Sequence, residues 1–154
     1  MAGHTFNRGL LGLLLAAAVT AVGLVAVPTS AAQAAGPCGS SYTLVFSHRE
    51  HNQGTGWLQM ELAVYWSSTS KRNCLVVNHL GQSYGTSMYT LAKIRPSGYS
   101  WPACPSTGCD EGDYRYYAGP VYTPAGLNMS GRCVDVAGMV GVQADRIKYN
   151  IACG

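Results

Sequence analysis

The 154-residue chain predicts an all-β fold, a small disulfide-stabilised antiparallel β-sandwich or barrel, and three observations carry that reading. Apolar residues alternate with polar ones as they do along a half-buried strand. The alternating runs are short, and each is closed by Gly, Pro, Ser or Asn. No amphipathic helix lies between them, which excludes the strand-helix-strand units of an α/β fold.

The elements follow in chain order. An apolar block over residues 10–27 leads through Pro28 to small residues, and Ala32-Gln33-Ala34 has the form of an export cleavage site. Residues 1–34 therefore read as a signal peptide and residues 35–154 as a single secreted β domain. Gly12 and Gly23 interrupt the block and the cleavage sequence follows at once, which weighs against a retained membrane anchor. Twin arginines are missing, and Gly36-Pro37 before Cys38 is no lipobox, so the mature chain is expected to be free of the membrane. Seven strands are predicted, over residues 42–47, 57–66, 74–79, 87–94, 114–122, 132–136 and 146–151. Along 57–66, Leu58, Met60, Leu62, Val64 and Trp66 share one face while Gln59, Glu61 and Tyr65 share the other. Residues 67–73 read as a hairpin loop and 95–98 as a turn. The stretch 99–112, with Pro102, Pro105, Gly108 and Gly112, is expected to be the least regular. Within 114–122, alternation sets Tyr114 and Tyr116 opposite Arg115 and Tyr117. Pro120 cannot donate to a central ladder, so this strand is expected at a sheet edge or with a bulge there.

Charge narrows the partner classes. Ten Lys and Arg include Arg8 of the leader, leaving nine against seven Asp and Glu. A balance so close to neutral provides no basic stripe for nucleic acid. No catalytic or cofactor-binding constellation emerges either. His48-Arg49-Glu50-His51 lacks the H-E-x-x-H spacing of a zinc helix, and no serine sits in a G-x-S-x-G elbow. Asp110, Glu111 and Asp113 lack the ligand order of a calcium loop and read as solvated acids. Glu50 with Glu61 or Asp135 are the available carboxylate pairs, and spacing says nothing of their separation in space. The chain is accordingly read as non-enzymatic, with no metal and no cofactor.

The aromatic content points elsewhere. Ten Tyr and three Trp stand against two Phe, so most rings combine an apolar body with a polar handle. Such rings suit sugar stacking and adhesion, although core filling is the commoner fate of any single tyrosine. Tyr117, Trp101, Trp57 and Tyr65 are the candidate surface contacts.

Five blocks carry a resemblance to a known family: Cys38-Gly39-Ser40-Ser41-Tyr42, Asn73-Cys74-Leu75-Val76-Val77, Tyr114-Arg115-Tyr116-Tyr117-Ala118-Gly119-Pro120-Val121, Gly131-Arg132-Cys133-Val134 and Ala152-Cys153-Gly154. In that order they resemble the spore-associated protein A family, small exported proteins of filamentous spore-forming bacteria. The resemblance spans nearly all of the mature chain, and its Tyr-Tyr-Ala-Gly-Pro-Val piece is the most specific. It implies association with a cell or spore surface and carries over no catalytic residue. The family pattern has four cysteines, matching Cys38, Cys74, Cys133 and Cys153; Cys104 and Cys109 are additions, in a segment over 101–109 that reads as inserted.

Six cysteines allow fifteen pairings, and the sequence ranks them without choosing outright. Cys104 and Cys109 enclose a short loop containing Pro105 and Gly108 and are both extra to the family, which favours their pairing. Of the three arrangements left, Cys38 with Cys74 and Cys133 with Cys153 is favoured as local to each end. A zinc site from Cys104, Cys109 and a histidine is the rival, disfavoured in an exported chain with an even cysteine count. The expected role is a secreted, non-enzymatic protein of the spore or cell surface, structural or adhesive, whose partner is an envelope component, polysaccharide being a candidate. The alternatives are a polysaccharide-binding module and a protease inhibitor or antimicrobial acting through the Cys104 to Cys109 loop.

Overall fold

The computed structural model describes residues 36–142 and 144–153; the signal peptide expected at 1–34 lies outside the described residues. Eight strands are present among them: β1 Thr43–His51, β2 Leu58–Ser67, β3 Arg72–His79, β4 Met88–Pro96, β5 Cys109–Tyr114, β6 Tyr117–Tyr122, β7 Val134–Val140 and β8 Asp145–Ile151. They form two antiparallel four-stranded sheets, ordered β1-β2-β3-β6 and β5-β4-β7-β8. The inner faces enclose one core, in which Met60, Leu62, Val64, Leu75, Val77 and Val121 of the first sheet meet Ala92, Ile94, Val134, Val136 and Val140 of the second. Burying each of the larger aliphatic side chains contributes about 1.5–3 kcal/mol. The alternation along β2 holds, with Met60, Leu62 and Val64 fully buried.

Eight strands replace the expected seven because the run 114–122 is two strands. Arg115 and Tyr116 turn the chain out of the second sheet and into the first, so alternation restarts at Tyr117. The expected irregularity of 99–112 is likewise corrected at its end: Cys109–Tyr114 pairs with β4 in unbroken register from Lys93↔Cys109 to Met88↔Tyr114. Gly112 is tolerated there because the Tyr114 ring covers it, 3.4 Å from where a Cβ would stand. Two strands also run longer than expected, β1 through His51 and β7 through Val140.

Both expectations for Pro120 hold. β6 is an edge strand bonded to β3 alone. Leu75 pairs with Val121 and Val77 with Ala118, which leaves Gly119 and Pro120 together opposite Val76 as a bulge. Gly119 is required at this point: its φ is +94°, and a Cβ would meet the Leu75 carbonyl oxygen at 2.8 Å.

The sulfurs pair as Cys38–Cys74, Cys104–Cys109 and Cys133–Cys153, the pairs favoured from the sequence. Cys38–Cys74 holds the 36–42 segment across the outer face of the first sheet, where Tyr42, Tyr65 and Tyr122 pack around it. Across the sheets, Glu50 of β1 accepts hydrogen bonds from the Arg146 guanidinium of β8, at 2.7 Å for Nε to Oε2, and His48 lies 3.1 Å from the same oxygen. The Arg146 hydrogen bonds are the main reason that the Glu50 pKa falls from 4.5 to about 2, against the opposing pull of burial.

Two outcomes are expected. Chain separations of 36 and 5 residues for Cys38–Cys74 and Cys104–Cys109 imply losses of about 4 and about 2 kcal/mol on replacing each pair by serine, measured by chemical denaturation. The depressed Glu50 pKa stabilises the fold at and above the ordinary glutamate range, and that stability is lost as pH falls from 4.5 through about 2. Acid denaturation of Arg146→Met should show a weaker dependence on pH over that interval than the parent protein.

Candidate surface-contact site

The turn between β5 and β6 is fixed from below by Asp110. Its Oδ1 accepts the Tyr114 hydroxyl at 2.7 Å and its Oδ2 accepts the Gly119 amide at 2.6 Å, so one carboxylate binds the end of β5 to the bulge of β6. That hydrogen bond, with burial and the nearby carboxylate charge, pushes the Tyr114 pKa up to about 12. From the side, the 80–86 loop holds the turn by its backbone. The His79 amide donates to the Tyr116 carbonyl at 2.8 Å, the Gly85 amide donates to the Arg115 carbonyl at 2.8 Å, and Arg115 Nη1 donates to the Gly85 carbonyl at 3.2 Å.

This bracing brings Tyr84 of the loop against Tyr116 of the turn, ring centroids 5.0 Å apart and edge to face. The rings remain 64% and 50% exposed, and Tyr117 beside them is 44% exposed. Tyr116 and Tyr117 line a shallow groove of about 390 Å³ with Asp110, Tyr114 and Arg115. Tyr116 was expected on the face of Tyr114; the turn moves it to the solvent side with Tyr117. Tyr84 went unrecognised, since it sits in a polar Gly-Ser-rich loop whose position is defined by hydrogen bonds to His79 and to Gln59 and Arg115, the last two remote in sequence.

The other candidates scatter. Trp57 is 52% exposed and lines a separate groove of about 180 Å³ with Gln82 and Thr86. Tyr65 is half-buried under the 36–42 segment, and burial together with the Glu61 charge raises its pKa. Trp101 is half-buried with the Arg95 guanidinium 4.1 Å above its ring, so one face is already taken. Tyr65 and Trp101 are thus both less open than Tyr117, which is 44% exposed.

The candidate acids are also accounted for. Glu50 pairs with Met60 across the β1-β2 ladder and Arg49 pairs with Glu61, so the two carboxylates point to opposite faces and cannot flank one bond. Asp135 is buried, yet hydrogen bonds from Ser97, the Asn150 amide and Arg95 overcome that burial and hold its pKa low. Asp110 lies on one face of a strand and Glu111 and Asp113 on the other, so the three acids do not form a loop cluster. Among the described residues, no group of three or more His, Cys, Asp or Glu converges to hold a metal ion. The Cys104–Cys109 loop is pinned to the body, with the Thr107 carbonyl accepting from the Tyr122 amide at 2.7 Å and the Gly108 carbonyl from the Ile94 amide at 2.9 Å.

No family model matches the chain, and no solved structure matches it. Spore-associated protein A of Streptomyces coelicolor is 36% identical to it over 153 residues, covering 90% of this chain and 86% of that protein.

The raised Tyr114 pKa makes the turn alkali-sensitive. The neutral phenol is the form that donates to Asp110, so its contribution is complete below the ordinary tyrosine value of 10.0 and lost as pH rises through about 12. Ultraviolet titration should show a late-ionising component that includes Tyr114, and Asp110→Asn should reduce that component by one tyrosine.

Proposed function

The chain belongs to the spore-associated protein A family, and on that premise we propose that it is an exported, non-enzymatic protein held on the spore or cell surface, where it acts in adhesion or structure. The observation that carries this reading is the group of exposed rings, Tyr84, Tyr116 and Tyr117, fixed at the exposed corner of an edge strand. Rings held by backbone bonds lose little freedom when a partner covers them, which favours a contact surface. The same place is the start of an edge strand. Three disulfides fit an oxidising compartment outside the cytoplasm, in keeping with a signal peptide over 1–34. The partner is an envelope component of the spore or cell, and the near-balanced charge disfavours nucleic acid.

A polysaccharide partner is the second reading, favoured by amphipathic rings open on one face. The inhibitor reading draws no support from the inserted loop, whose carbonyls at Thr107 and Gly108 are already engaged.

Fractionation of spores and culture fluid with an antibody to the protein tests the proposal. Tyr117→Ala should be exported and fold with an unchanged circular dichroism spectrum, yet pass from the spore fraction into the medium. Folded Tyr117→Ala and Tyr84→Ala proteins that both stay with the spores would refute attachment through this corner.

A further inference from the structure

At the other end of β6 from Tyr117, a second groove of about 380 Å³ opens between the inserted segment and the 123–125 loop. That volume lies near the lower limit of small-ligand sites, which span roughly 300–1,000 Å³. Pro96, Pro102 and Pro124 supply apolar walls, and Tyr99 contributes a ring that is 51% exposed. Ser100, Ser106 and Thr107 also line the groove. Neither their hydroxyls nor that of Tyr99 has a hydrogen-bond partner among the described residues.

The groove carries no uncompensated charge. Its only cation is Arg95, which donates to Asp135 at 3.0 Å and lies over Trp101. A phosphate or uronate would therefore find no free counter-charge, and an ammonium would find no carboxylate. A wholly apolar ligand would bury the hydroxyls without partners, at a cost of about 1–3 kcal/mol for each. Strand-like docking of a peptide is also poorly served, because the Thr107 and Gly108 carbonyls are spent within the fold. What remains is a ligand with an apolar face and a hydroxylated edge and no charge. A pyranose ring has that form, its C–H face matching an aromatic ring and its hydroxyls able to donate and accept.

The walls are also held in advance of any ligand. Cys104–Cys109 closes the loop, and Ser106 and Cys109 exchange backbone hydrogen bonds at 2.9 and 3.1 Å. Little ordering is left for the ligand to impose.

We propose that this groove binds a neutral polysaccharide chain, with Tyr99 as the stacking ring and the Ser100, Ser106 and Thr107 hydroxyls exchanging hydrogen bonds with the sugar. The site is separate from the Tyr84, Tyr116 and Tyr117 corner, so it stands or falls independently of how the protein is retained on the spore.

The test is an amide-detected NMR titration of isotope-labelled protein from culture fluid in high salt. Chitohexaose, maltohexaose and laminarihexaose are the neutral probes; oligogalacturonate and a proline-rich peptide are the charged and peptidic ones. At least one neutral hexasaccharide should shift the amides of residues 99–108 saturably, and Tyr99→Ala should weaken that binding about tenfold or more. Replacing Ser106 by Ala together with Thr107 by Val should also weaken it, while Tyr117→Ala should leave it unchanged. The proposal is overturned if no neutral probe shifts these amides, if the shifts map to the tyrosine corner, if the anionic or peptide probe is preferred, or if Tyr99→Ala binds as the parent does. The map on the parent protein does not depend on any variant folding.

Discussion

The two sheets meet through an apolar seam that leaves no room for a side chain at position 138 of β7, which is glycine. A Cβ at this position would run into the ends of Leu62 and Val77, both fully buried and unable to move aside. The missing side chain lets β2 and β3 settle against β7. With that spacing set, most of the polar side chains inside find partners within it, since an unpaired buried group costs more than a hydrogen bond returns. Asn73 Oδ1 and Arg72 Nη2 are the buried exceptions among the described residues. Three of the paired side chains tie the sheets together. His79 of β3 bridges the Ser83 carbonyl at 3.0 Å and the Thr90 hydroxyl of β4 at 2.7 Å, Gln59 of β2 donates to the Val140 carbonyl of β7 at 2.7 Å, and Glu50 of β1 holds Arg146 of β8.

The opposite flank of the sandwich closes by covalent continuity. β5 ends one sheet and β6 begins an edge of the other, so the chain must turn a corner within Arg115 and Tyr116. Asp110 stabilises that corner by binding a side chain of β5 and a backbone amide of β6 together. The surface chemistry follows from it. Tyr116, which a continuous strand would set on the face of Tyr114, is turned outward, and β6 carries the tyrosine corner at its first residue and the hydroxyl-lined groove at its last.

The disulfides each fasten an irregular stretch: the 36–42 segment to β3, the 104–109 loop to the start of β5, and the residue before β7 to the segment after β8. They fasten the periphery, while the core rests on aliphatic burial. Cys104 and Cys109 close only the short loop between them.

The sequence by itself determined the all-β class, the inner face of β2 and an edge or bulge for the Gly119-Pro120 strand, and it ranked the cysteine pairings without choosing among them. The first three are local properties: period-two alternation and a missing proline N–H leave their marks within a few residues. The tertiary structure alone decided that residues 114–122 form two strands, because Tyr-Arg-Tyr-Tyr is equally good strand sequence on either side of a corner. It decided which aromatics stay open as well. Trp101 and Tyr65 are matched in character by Tyr84 and Tyr99, and what separates them is Arg95 above one ring and the 36–42 segment over another. Exposure of a ring depends on neighbours remote in sequence, and composition and alternation contain no information about those.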